Sequence, residues 1–150
     1  MDLLKELCEC SGVPGREERL RKIVQRELEP ISDEIRVDSL GNMIVRKKGK
    51  KGAKRLMIAA HMDEIGFVVS HIEENGMLRL VPLGGHDPRN MVAQRVTVCG
   101  VKRDIPGLLY PGIKPPHIQT EEDRKQPLRI SDFCVDLYMP ASRVKREVEV

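Results

Sequence analysis

Aromatic residues are nearly absent from this chain. Its 150 residues include two Phe, two Tyr and no Trp, so any core must rest on Val, Ile, Leu and Met. Long apolar runs are missing as well: none approaches the roughly 18 residues that a membrane-crossing helix needs. The opening residues, MDLLKELCEC, carry acids where a secretory leader requires an unbroken apolar stretch. Cysteine is scarce and badly spaced for metal binding. Cys8 and Cys10 sit too close together for a zinc-finger pair, and Cys99 and Cys134 stand alone. These absences predict a reduced, cytoplasmic, soluble protein whose thiols are ordinary buried side chains. A length of 150 residues allows one ordinary domain or two small ones.

Charge is plentiful but nearly balanced, with a formal excess of +3. Much of the positive excess lies in RKKGKKGAKR, Arg46 to Arg55, which reads as a solvated turn between strands. Such a run can touch phosphates, yet no aromatic residue is interleaved with it. The expectation is therefore no nucleic-acid partner and no membrane partner.

The amino-terminal part alternates helix and strand signals. Asp2 can cap a short helix reaching about Cys10, with Leu3, Leu4 and Leu7 on one face, and Ser11 to Gly15 breaks it. From Arg16, the apolar positions Leu20, Ile23, Val24 and Leu28 recur at helical spacing. EIRVDSLGNMIVRKKG then reads as two short alternating strands around a Leu40-Gly41-Asn42 turn. Leu56 to Ala60 is continuously apolar, the pattern of a central strand covered on both faces. Ile65 to Ile72 and Met77 to Leu83 form another strand pair around Glu74-Asn75-Gly76. Beyond Gly84 the chain turns β-rich and loop-heavy, with strands in QRVTVCGVKRD and ISDFCVDLYM and helical spacing only in the last few residues. The expected organisation is a layered α/β part over residues 1–70 and a β-rich part over residues 71–150, with a soft boundary near Ser70 to Glu74.

The chemistry-bearing residues interrupt two apolar runs in LMIAAHMDEIGFVVSHI, Leu56 to Ile72. Charge and imidazole placed in a core cost several kcal/mol, roughly, unless paired or bound to metal. In an extended chain, residues two apart face the same side, so His61 and Asp63 should stand together where the strand meets its loop. Open α/β sheets place ligands at such strand ends. An imidazole can bind a metal through one nitrogen and donate its other N–H to a carboxylate, which fixes the tautomer and raises basicity. The spacing fits His61 as ligand and Asp63 as its orienting partner. By itself a His-x-Asp triplet is a weak signal, because a lone histidine is more commonly a satisfied structural residue. Glu64 should point away from both by strand alternation.

Several stretches, MIAAHMDEIGFVVSHIEENGMLRL, GGHDPRNMVAQRV, KPPHIQTEEDRK and FCVDL, occur together and in one order. With the upstream VPGREE and VDSLGNMIVRKKG, the chain resembles the tetrahedral (TET) aminopeptidases over nearly its whole length. These are glucanase-like two-metal metallopeptidases of metallopeptidase family 42. The resemblance implies an amino-terminal part of the catalytic sheet domain, followed by a β-rich inserted dimerisation domain. It implies removal of amino-terminal residues from peptides by a pair of zinc or cobalt ions, with His61 as a metal ligand and Asp63 as the supporting catalytic acid. Water bridging two such ions becomes a nucleophile near neutral pH. A peptide substrate and a homo-oligomer, dimers building a larger particle, follow in the same way.

The family's remaining ligands and its general base lie downstream of the stretch resembled here, so the chain corresponds to the amino-terminal part only. Catalytic zinc generally needs about three protein ligands plus water. His71, His86, Asp87 and His117 are the available substitutes, and each reads better as structural: His71 as exposed, and Asp87 as the start of a turn before Pro88. The expectation is an aminopeptidase part that is inactive by itself. The alternatives are a non-catalytic oligomerisation module and a basic binding protein using Arg46 to Arg55.

Overall fold

A computed structural model describes residues 2–150. Their contacts divide into two units, with the division between Glu64 and Ile65. That point lies upstream of the Ser70–Glu74 boundary expected from the sequence, because the strand beginning at Gly66 pairs along its length within the second unit.

In the first unit, α1 spans Asp2–Glu9 and α2 spans Glu18–Leu28, which continues into a 3-10 turn at Glu29–Ile31. Pro30 stops α2 by withholding a backbone donor. The helices are tied at the surface by Arg26, whose guanidinium donates to both carboxylate oxygens of Glu6 at 2.8 and 2.7 Å. This pair holds the Glu6 carboxyl below the usual carboxylate range. Only Leu20 of the helical apolar stripe is fully buried.

The hairpin expected around Gly41 is present: β1 (Glu34–Val37) pairs antiparallel with β2 (Met43–Arg46). Asp38 builds its turn. One carboxylate oxygen accepts the N–H groups of Leu40 and Asn42 at 3.0 and 2.9 Å. Gly41 takes a positive φ of 86°, and the Arg21 guanidinium lies 2.9 Å from the place a Cβ would occupy. Glycine is required there on both counts.

The second unit is a five-stranded antiparallel sheet in the order β3-β4-β7-β6-β5. Its strands are β3 (Gly66–Ile72), β4 (Leu78–Leu83), β5 (Gln94–Cys99), β6 (Asp104–Pro111) and β7 (Phe133–Asp136). The β3–β4 turn closes with Gly76 at φ 93°, where an added Cβ would lie 3.1 Å from the Ala141 backbone. Two helices belong to this unit, α3 (Glu121–Lys125) and α4 (Ala141–Glu147). The core joins Leu78, Met91, Ile105, Leu109, Phe133, Val135 and Leu137 with Val144 and Val148 from the last helix and its end. Aliphatic side chains dominate it, as the shortage of aromatics requires. Glu147 fixes α4 by accepting from Arg143 at 2.6 Å and Arg103 at 3.1 Å.

Two expectations fail. Leu56 to Ala60 is not a strand. Leu56, Met57 and Ile58 are 87, 87 and 88% exposed, and no backbone hydrogen bond is made by residues 54–60 among the described residues. A central strand needs a hydrogen-bonding neighbour on each side, and none is provided among the described residues, so the run stays outside both sheets and open to solvent. The thiols are not uniformly buried either: Cys8 and Cys99 are exposed, Cys10 is half-buried, and only Cys134 lies in the core. Cys99 ends edge strand β5, and Cys8 lies on an α1 with no fully buried residue.

Candidate metal-ligand site

His61 and Asp63 follow the open apolar run directly. The Nδ1 atom of His61 lies 3.3 Å from an Asp63 carboxylate oxygen and 3.0 Å from the Asp63 backbone oxygen. Both neighbours can only accept, so the neutral ring carries its proton on Nδ1. Its Nε2 lone pair is then free. Geometry of this kind orients a metal-ligating imidazole, and here the ring is open to solvent, with 84% of the side chain exposed. Asp63 is 41% exposed.

Glu64 does separate work. Its carboxylate accepts the Gly12 N–H at 3.3 Å, while its own N–H donates to the Gly12 carbonyl at 2.9 Å. This two-point clamp pins the chain just after Asp63 to the loop between α1 and α2. Nothing in the sequence signals it, because the partners are 52 residues apart.

Of the other candidate ligands, His86 and Asp87 make bonds within the fold. His86 donates from Nε2 to the Gly66 carbonyl at 2.9 Å and stacks on Phe67 with ring centroids 4.2 Å apart. Asp87 caps the 3-10 turn Pro88–Asn90 by accepting the Arg89 N–H at 3.0 Å. The Arg89 guanidinium, 2.6 Å away, joins that amide in holding the Asp87 carboxyl down to about 2. His71 is exposed on β3, and His117 is exposed in the 3-10 turn Pro116–Ile118. No group of three or more His, Cys, Asp or Glu side chains suited to a metal occurs among the described residues. They fit one braced ligand and do not fit a complete catalytic centre, which takes about three.

Helices and a hairpin followed by a five-stranded antiparallel sheet make this a mixed α/β chain. Comparison with known proteins supports that class and names the family. The family model described as M42 glutamyl aminopeptidase matches residues 41–150. FrvX of Escherichia coli strain K12, which carries the name of an aminopeptidase, is 41% identical over 99% of this chain and 40% of its own length. A solved TET aminopeptidase from the marine sediment archaeon Thaumarchaeota archaeon SCGC AB-539-E09 is 34% identical. It superposes with a TM-score of 0.90 over all of this chain and 42% of the other. The TET1 peptidase of Pyrococcus horikoshii, described as assembling into a tetrahedron or a large octahedral shell, is 32% identical with a TM-score of 0.78. The match covers 95% of this chain and 42% of that one.

The chain belongs to the M42 glutamyl aminopeptidase family. It spans about two fifths of the length of the relatives it matches, and its fold is that of the amino-terminal part of TET aminopeptidase structures.

Proposed function

We propose that this chain contributes the amino-terminal portion of a two-metal aminopeptidase, with His61 as a ligand to one zinc or cobalt ion and Asp63 as the acid that orients it. The observation that carries the proposal is the Nδ1 contact to Asp63, which leaves the ring's lone pair on Nε2 of a largely exposed side chain. A metal pair would polarise a peptide carbonyl and activate water; the residues present here hold one ligand for it and orient that ligand. The substrate class is peptides with a free amino terminus. Residues 65–150 form a five-stranded sheet with its own core, and we assign this unit to dimer contacts, by analogy with the assemblies named for the TET relatives. The same sheet unit also accommodates the non-catalytic oligomerisation module, which differs in having no metal affinity.

Metal binding separates these readings. Purified protein dialysed against zinc or cobalt should retain metal in the wild type and lose most of it in His61→Ala, with weaker retention in Asp63→Ala. Amino-acid p-nitroanilides should not be turned over by this chain alone. Equal metal content in wild type and His61→Ala would remove His61 from the site. Chelator-sensitive turnover would show that the 150 residues already hold a working centre.

A further inference from the structure

The charge of this chain is unevenly distributed. Arg46 to Arg55 holds seven of the 26 cations and no acid, which leaves 19 cations against 23 acids elsewhere, a net of −4. All ten residues are exposed. Arg46 is paired with Glu34 and Lys47 with Asp33, and the Lys48 N–H also reaches Asp33. Lys50, Lys51, Lys54 and Arg55 have no acidic partner among the described residues. A turn closed by the Ala53 N–H on the Lys50 carbonyl at 3.0 Å has Lys50 at its start and Lys51 at its centre, with Lys54 and Arg55 directly after it. Four uncompensated cations are thus held on one small turn, on a body of opposite net charge.

We propose that this turn docks on the phosphate backbone of double-stranded nucleic acid, without sequence preference. The missing aromatics, which argued against a nucleic-acid partner, bear only on single strands, where bases must stack. A duplex presents one charge per roughly 1.7 Å of axis, and cations that meet it gain by releasing condensed counterions. A lipid surface fits less well. The neighbouring apolar residues, Leu56 to Ile58, lie in no helix or strand, so they offer no amphipathic helix of the kind that lies in a bilayer interface. An acidic peptide offers a sparser, flexible charge that must be ordered on binding.

Fluorescence anisotropy of a labelled 24-base-pair duplex tests the proposal, with two unrelated sequences as probes. Four phosphates neutralised at about 0.9 counterion each predict an affinity loss of roughly 150-fold between 50 and 200 mM salt. A variant combining Lys50→Gln, Lys51→Gln, Lys54→Gln and Arg55→Gln should bind at least about tenfold more weakly at 50 mM salt and lose most of that salt dependence. A control with Lys22→Gln, Lys102→Gln, Lys125→Gln and Lys145→Gln carries the same net charge and should bind as the wild type does. Equal weakening in both variants would reduce the effect to net charge. Absent binding, a preference for one duplex, or tighter binding to polyglutamate or to vesicles containing anionic lipid would each overturn the proposal.

Discussion

Two short apolar runs in this chain have similar hydrophobicity and opposite fates. Phe133-Cys134-Val135 lies at 1, 3 and 2% exposure, whereas Leu56-Met57-Ile58 lies near 87%. The difference is in the neighbours. β7 is hydrogen-bonded to β4 on one side and β6 on the other, and its side chains join a core shared with Val144 and Val148. The Leu56 run has no strand beside it. Hydrophobicity sets the demand for burial, but a strand exists only where its backbone groups find partners.

The largest expected contrast is in amide hydrogen exchange. Backbone amides at 56–60 lack hydrogen bonds and should exchange near the rate of an unstructured peptide. Those of 134–136 should open only with the second unit, and so be slower by orders of magnitude. Exchange mass spectrometry with peptide-level resolution reads both runs in one sample. Comparable protection in the two would mean that the Leu56 run is covered in solution, for instance by a second copy of the chain.

Mutation should give the same contrast in energy. Phe133→Ala removes a fully buried ring and should cost about 3–5 kcal/mol, enough to unfold a marginal unit. Ile58→Ala should change stability by no more than about 0.5 kcal/mol, and replacing Leu56 and Ile58 with Ser should lower aggregation, since open apolar edges invite pairing between chains. Urea denaturation measures the first pair, and light scattering at matched concentration measures the last. A large loss on Ile58→Ala would break the comparison at its exposed end.

What could be read from the sequence follows the same division between local and distant causes. The turn at Gly41, the turn at Gly76, the stripe of α2 and the strand at Phe133 are encoded by neighbouring residues, and all were legible. Helix α3 was locally encoded but passed over inside a proline-rich stretch: Thr120 and Asp123 cap each other's backbone in a reciprocal box, a spacing that marks a helix start. Strand β6 was obscured by Pro106 and Gly107. That glycine is needed because a Cβ would come within 2.7 Å of Val135 and 2.9 Å of Leu137, a tertiary reason no local pattern shows. The pairing of His61 with Asp63 was legible because it spans two residues. The Glu64–Gly12 clamp was not, and neither was the exposure of the run before it, since both depend on what the rest of the chain places nearby.

The smallest effect separates two acids that each sit beside a basic side chain two residues away. Asp87 is fixed, accepting three hydrogen bonds from the Arg89 guanidinium and one from its backbone N–H; Asp63 meets an imidazole that is itself largely exposed. The Arg89 guanidinium, aided by that amide, holds the Asp87 carboxyl down to about 2 from an ordinary 3.8. A carboxyl lowered on folding contributes stability that is full above 3.8 and disappears as pH falls through about 2, because the unfolded chain then binds the proton first. Carboxyl-detected NMR should place the Asp87 midpoint near 2 in the wild type, and Arg89→Ala should move it most of the way toward 3.8, with a residual lowering from the backbone donor. His61→Ala should leave Asp87 unmoved. A wild-type midpoint at the ordinary value would mean that the Asp87–Arg89 pair does not hold in solution, and the contrast between built and open regions would end at the core.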